Sequence, residues 1–343
     1  MFENFQTWCR RCISSATSRI AGWLRRKKPR PRGKWLSGQH RSSSGLLFFA
    51  PMISPARDYR LYFPVDYRQD ERLPLIVMLH GCKQDAASFA AGTRFNLFAD
   101  RGRFLVAYPE HRRLANPYRC WNWFDPSSNQ ASGEVAIIAS MVRAIANEHN
   151  VDPSRIYVAG MSAGGALASA LASCHPELFA ASAVHSGLMF QAANSPAAAL
   201  SVMRHGSDRD PEKASAAALD LSRKKSIARP VLVIHGDADD TVHPVNGEQI
   251  VAQFLNMNKP APTGEDALDS VRKKVKSNGS DYEYQVIDHG PAGAPLVRHV
   301  MVNGMGHGWS GGSSRFPYND PRGPDASAMM LEFFALHRRA QSA

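Results

Sequence analysis

At 343 residues, with 44% hydrophobic and 21% charged side chains, the chain has the length and apolar content of a globular protein, which excludes a disordered or fibrous polypeptide. The net charge of +11 sits almost wholly in residues 1–45, where 11 Lys and Arg face a single acid, Glu3, leaving +1 for the remainder. A near-neutral body excludes a basic groove for nucleic acid, and no apolar run reaches the ~18 residues of a membrane-spanning helix.

The N-terminal segment has a pattern of its own. Phe2, Phe5, Cys9, Cys12, Ile13, Ala16, Ile20, Trp23 and Leu24 recur at spacings of three and four, which predicts one apolar helical face. Arg10, Arg11, Arg19 and the run Arg25–Lys28 add basic charge. Residues 1–35 therefore suit either an anionic membrane surface or a solvated extension ending at the breaker "KKPRPRGK". No secretory signal peptide is recognisable. Cys9 and Cys12 form a lone C-x-x-C, and the five cysteines match no zinc spacing, so neither a metal nor a cofactor is expected.

From residue 46 the texture changes to short apolar runs between Gly, Pro and Asp turns. "YRLYFPV" (59–65) alternates like an outer strand, while 73–81, 104–109, 155–160, 179–187, 230–236 and 297–304 read as short buried strands. Helical patterns at 134–148 and 163–173 lie between them. Strands alternating with helices predict one α/β domain over 46–340, a mainly parallel, doubly wound sheet with helices on both faces. Two stretches, 188–228 and 258–281, break the rhythm and read as insertions at the sheet edge or a partial cap.

Within "RIYVAGMSAGGALASALA" (155–172), "GMSAG" is G-x-S-x-G between a predicted strand and a predicted helix. In that context it is a nucleophile elbow, a strained turn that lifts a serine hydroxyl above the sheet. Ser162 is the candidate nucleophile, and side chains at Gly160 or Gly164 would collide with the neighbouring elements. A serine needs a base, and the base an orienting acid, in the chain order Ser, Asp or Glu, His. "VLVIHGDADDTVHP" (231–244) offers Asp237, Asp239 and Asp240; the H-G-x-x-D-x-x-V spacing selects Asp239, and the other two read as turn formers. Downstream lie His289, His299, His307 and His337, of which only His307 sits in a glycine-rich loop after the last strand. An oxyanion hole completes the set. Its donors are the backbone N–H of Ala163 and that of Cys82 in "HGCKQD" (80–85).

With these residues in place, the chain resembles the α/β-hydrolase esterases of the polyhydroxybutyrate depolymerase family, which includes feruloyl and acetylxylan esterases. The matching pieces are "HGCKQ" (80–84), "CWNWF" (120–124), "GMSAGG" (160–165), "HGDADDTVHP" (235–244) and "GMGHGWSGG" (304–312), spanning roughly 60–335. The resemblance implies a Ser162–Asp239–His307 triad and an oxyanion donor at Cys82. It also implies aromatic substrate contacts at Trp121, Trp123 and Trp309, and a disulfide between Cys82 and Cys120, whose loops it sets side by side. It suggests an extracellular or periplasmic enzyme. Secreted polymer depolymerases of this family carry a signal peptide and a polymer-binding domain that this sequence does not display. The expected function is a serine carboxylesterase acting through an acyl-enzyme on hydroxyalkanoate oligomers, feruloyl, acetyl or other soluble esters, with polymer as an open substrate. A peptidase or thioesterase on the same fold, or a catalytically silent membrane-surface protein, are the alternatives.

Overall fold

The computed structural model describes residues 30–41, 56–111, 116–224, 226–259, 270–276 and 281–340. Ten strands form one sheet: β1 Lys34–Arg41, β2 Ala56–Phe63, β3 Leu73–Leu79, β4 Leu105–Glu110, β5 Val151–Met161, β6 Ala181–His185, β7 Val231–Gly236, β8 Ser270–Lys276, β9 Glu283–His289 and β10 Val297–Val302. Their order is β1-β2-β4-β3-β5-β6-β7-β10-β9-β8. The six central strands, from β4 to β10, are parallel, and an antiparallel pair closes each edge.

The central strands form because their apolar runs are covered on both faces. In β7 every residue is buried, and in β3 all but the first. Alternation along the strands sorts the side chains. Val77, Leu79, Val158, Val184 and Val233 face one layer, with helices α3 Gly133–Glu148, α4 Ala163–Cys174, α5 Pro196–His205, α6 Pro211–Ser222 and α7 Val245–Met257. Ile76, Met78, Val106, Leu232, Ile234 and Val300 face the other, with α1 Ala86–Thr93, α2 Phe95–Gly102 and α8 Ala326–Ala335. Helix α4 is buried along its whole length. Only small residues at most of its positions let a helix sit sandwiched so closely.

The segment 188–228 folds as α5 and α6, each announced by a capping side chain and a proline in the first turn: Ser195–Pro196 and Asp210–Pro211. Their Ala199, Val202, Ala214 and Ala218 join the core. In the segment 258–281, β8 pairs antiparallel with β9 from Ser270↔His289 to Lys276↔Glu283.

Ahead of the boundary expected at residue 45, β1 pairs with β2 from Lys34↔Phe63 to Arg41↔Ala56. An aromatic anchor holds the strand there. Trp35 packs edge-on against Tyr62 with centroids 5.2 Å apart, and the Gly33 N–H donates to the Tyr62 hydroxyl at 2.7 Å. The hydrolase unit thus reaches back into the basic segment, while the amphipathic pattern of residues 2–24 lies outside the described residues. Among the described residues no helix is long and apolar enough to cross a membrane.

Candidate active site

The loops that follow β3, β5, β6, β7 and β10 leave the carboxyl end of the parallel sheet, where ligands of open α/β folds are bound. Ser162 occupies the β5–α4 turn at φ 57°, ψ −124°, a strained conformation for a residue with a side chain. The two flanking glycines explain how the turn closes. A methyl on Gly160 would collide with the Gly164 carbonyl, and one on Gly164 with the Leu79 carbonyl of β3. The Ser162 N–H donates to the His185 carbonyl at 3.0 Å, and Ala163 begins α4, whose N-terminal dipole faces the hydroxyl.

The loop after β3 is tied down almost atom by atom. Gly81 N–H donates to Gln84 Oε1 (2.8 Å), Lys83 N–H to the Tyr118 carbonyl (2.7 Å) and Gln84 N–H to the Gly81 carbonyl (3.3 Å). The Cys82 N–H between them has no acceptor among the described residues, and the same holds for the Ala163 N–H. A disulfide joins Cys82 to Cys120, with Cα atoms 4.3 Å apart. From Cys120 the chain runs into Trp121, whose indole N–H donates to the His80 carbonyl at 2.9 Å. Burial pushes the His80 imidazole down to about 4, so it sits neutral beneath the loop.

A buried carboxylate supports this segment from below. Glu134, at the start of α3, accepts from His111 Nε2 (2.6 Å), Arg57 (2.9 Å) and the Asn122 N–H (2.9 Å). Burial alone would raise its pKa, but His111 and Arg57 outweigh that and keep it ionised. The sequence reading missed this network.

Asp239 and His307 meet across 68 residues of sequence, with His307 Nδ1 2.8 Å from Asp239 Oδ2. The other carboxylate oxygen accepts from the Thr241 (3.0 Å) and Val242 (2.8 Å) N–H groups. Burial works against the carboxylate, yet the imidazoles of His235 and His307 and the Val242 N–H hold it well below the usual range. His235 is the lesser partner: its Nε2–H donates to the Val242 carbonyl at 2.8 Å and lies 3.5 Å from Asp239. The competing acids are elsewhere engaged or exposed. Asp237 accepts from Gly304 N–H at 2.6 Å, and Asp240 faces solvent. Of the competing histidines, His299 lies in β10 and His337 follows α8. Between Ser162 and His307 this structure contains no hydrogen bond.

The three tryptophans set at the substrate by the resemblance differ in what they leave exposed. Trp121 and Trp309 are fully buried and offer a substrate no surface. Each has its N–H satisfied inside the protein, Trp121 by His80 and Trp309 by Ser327 Oγ at 3.1 Å, as packed indoles require. Trp123 is 7% exposed and keeps only an edge outside. Among the described residues no group of three or more His, Cys, Asp or Glu is arranged to hold a metal ion.

A parallel sheet wound on both faces, with a strained serine between strand and helix and an Asp–His pair on the later loops, is the architecture of an α/β-hydrolase. The acetyl xylan esterase from Aspergillus awamori shares the fold, with a TM-score of 0.61 and 20% identity over 82% of this chain and 94% of that one. Residues 57–276 match the family described as Esterase PHB depolymerase, and the chain belongs to that family. Poly(3-hydroxyalkanoate) depolymerase C of Paucimonas lemoignei is 33% identical over 243 residues, 68% of this chain and 55% of its own length. Feruloyl esterase B of Neurospora crassa is 31% identical over 206 residues, 58% of this chain and 70% of its own. The chain therefore spans about half of the depolymerase.

Proposed function

We propose that the protein is a serine carboxylesterase with Ser162, Asp239 and His307 as its triad. The observation that carries the reading is the Asp239–His307 contact of 2.8 Å, placed with the strained Ser162 at the carboxyl end of one sheet. Asp239 holds the proton of His307 on Nδ1, which leaves Nε2 as the base. As Ser162 Oγ attacks the ester carbonyl carbon, Nε2 takes its proton, and the oxyanion accepts from the Cys82 and Ala163 N–H groups. Collapse expels the alcohol, which takes the proton from His307. Water, deprotonated by the same imidazole, then attacks the acyl-enzyme, releasing the acid and restoring the serine. The Ser162–His307 hydrogen bond forms when substrate enters, since such contacts are often long in free enzymes.

The family and the names of its relatives favour hydroxyalkanoate oligomers or feruloyl and acetyl esters as substrates, with Trp123 the remaining aromatic contact. The Cys82–Cys120 bond favours an oxidising compartment, extracellular or periplasmic. The test is a panel of p-nitrophenyl esters of increasing chain length, methyl ferulate, hydroxybutyrate oligomers, a peptide anilide and an acyl thioester, run on wild type, Ser162→Ala and His307→Ala. Ester hydrolysis should fall by about 10⁶ in kcat in both variants. Retention of more than a few per cent in Ser162→Ala, or turnover of the anilide or thioester in preference to every ester, refutes the assignment.

A further inference from the structure

His185 touches both halves of the site, and the mechanism above gives it no part. It ends β6 and is fully buried. Its carbonyl accepts the Ser162 N–H (3.0 Å), fixing the strained turn from the β6 side. Its ring Nε2 accepts the N–H of Ser310 (3.1 Å), three residues beyond His307. Because Nε2 is an acceptor, the ring proton is on Nδ1, which donates to Ser186 Oγ at 3.2 Å. One face of the ring stacks on Trp309, with centroids 5.2 Å apart and planes 20° from parallel. Trp309 in turn donates to Ser327 Oγ, whose hydroxyl donates to the Thr93 carbonyl at the end of α1 (2.8 Å).

We infer that His185 is a positioning residue for the reaction, a neutral imidazole that joins the nucleophile turn to the loop carrying His307 and sets the distance between Ser162 and His307. The inference rests on the triad reading and adds a member that touches neither substrate nor the reacting atoms. A single residue is bonded to the β5–α4 turn through its main-chain carbonyl and to the His307 loop through its ring. Among the described residues no other hydrogen bond links the two loops. The neutral state suits this role. Burial pushes the imidazole down to about 3, with His235, His307 and Asp239 the titratable groups that face it. A charged ring would lose the acceptor for Ser310 and would oppose the positive charge that His307 gains when it takes the serine proton. The indole of Trp309 fixes the plane of the ring, which explains a tryptophan beside the catalytic loop that no substrate can reach.

The test uses the full chain with His185→Leu, His185→Asn and His185→Gln. Leucine fills similar volume without an acceptor, asparagine is too short to reach Ser310, and the glutamine Oε1 reaches to where Nε2 stands. With p-nitrophenyl butyrate as substrate and active sites counted by fluorophosphonate titration, kcat per titrated site should fall about 30- to 100-fold in the leucine and asparagine variants, the scale of a misplaced catalytic group. KM should stay within about twofold, and glutamine should recover about tenfold of the lost kcat. A purely structural role would lower the number of titratable sites and leave kcat per site unchanged. Wild-type kcat per site in the asparagine variant, or equal impairment by asparagine and glutamine, overturns the inference, and the Asn–Gln comparison stands even if leucine prevents folding. Ser162→Ala in the same assay separates the two readings: activity there removes the triad, whereas an inactive Ser162→Ala beside unimpaired His185 variants removes only this residue's role.

Discussion

The disulfide offers the sharpest quantitative prediction, because it ties stability and catalysis to one bond. Replacing Cys120 by alanine opens the loop between residues 82 and 120 while leaving the Cys82 backbone N–H in the sequence. The separation is 38 residues, for which the chain-entropy model gives roughly 4 kcal/mol of lost stability and, for a domain of this size, a drop in Tm on the order of 10 °C. The catalytic loss should be smaller than that of deleting an oxyanion donor, which is worth about 10²–10³ in kcat. The loop keeps its hydrogen bonds, Gly81 N–H to Gln84, Lys83 N–H to the Tyr118 carbonyl and Gln84 N–H to the Gly81 carbonyl. With those intact the Cys82 N–H is loosened rather than lost, and kcat should fall by about tenfold at unchanged KM. Thermal unfolding followed by circular dichroism and steady-state kinetics on p-nitrophenyl butyrate measure both. If Cys120→Ala unfolds at the wild-type temperature with the wild-type kcat, the bond neither braces the fold nor aims the N–H, and the reasoning fails.

Asp239→Asn should lower kcat by on the order of 10⁴ by stabilising the wrong tautomer of His307, whereas Asp240→Asn, on an exposed side chain, should change it less than threefold; the reverse ranking would move the acid. The buried His80 and His185 have folded-state pKa values near 4 and 3, below the unfolded 6.5, so the unfolded chain binds more protons below pH 6.5. Stability should therefore decline on acidification from pH 6.5, by up to about 1.4 kcal/mol per pH unit for each ring, and a urea midpoint flat between pH 7 and pH 5 would contradict their neutral burial. Removal of residues 1–29 should leave kcat/KM for soluble esters within about twofold while weakening salt-sensitive binding to anionic vesicles; equal vesicle binding by both forms would end the membrane-surface idea. Removal through residue 41 also deletes β1 and strips the packing of Trp35 from Tyr62, so this longer truncation should lower Tm and the shorter one should not.

The parts of the fold that were readable in the sequence are those whose residues answer to a single pressure. The parallel strands, buried on both faces, show as plain apolar runs, and the turn at Ser162 shows because neither flanking glycine can carry a side chain. The edge strands β1 and β8, and β9 beside the latter, did not show. "KWLSGQHR" and "SVRKKVK" are edge sequences full of charge, and only pairing with a neighbour makes them strands. At the site, the contact between Asp239 and His307 could be expected from spacing and chain order. The burial of Trp121 and Trp309 was not legible, because an indole beside a loop looks the same in sequence whether it faces a ligand or the core. His185 was invisible, since its hydrogen bond reaches a backbone N–H 125 residues away, and a backbone donor leaves no mark on the amino acids.

The close approach at Gly164 also bears on how such a site can be reshaped. With no side chain between them, α4 and the last carbonyl of β3 meet directly, so the N–H groups of Cys82 and Ala163 hang from one joint instead of two independent loops. On the proposed reading that joint would work like the fixed jaw of a vice: it would hold the carbonyl being cleaved, with little slack to choose among acyl chains. On that reading selectivity would fall to exposed side chains around it, such as Tyr118 beside the disulfide loop or Tyr318, whose carbonyl accepts the Trp309 backbone N–H at 2.8 Å. A laboratory selecting for new substrates from this scaffold would do well to leave Gly160 and Gly164 alone and to randomise those two tyrosines first.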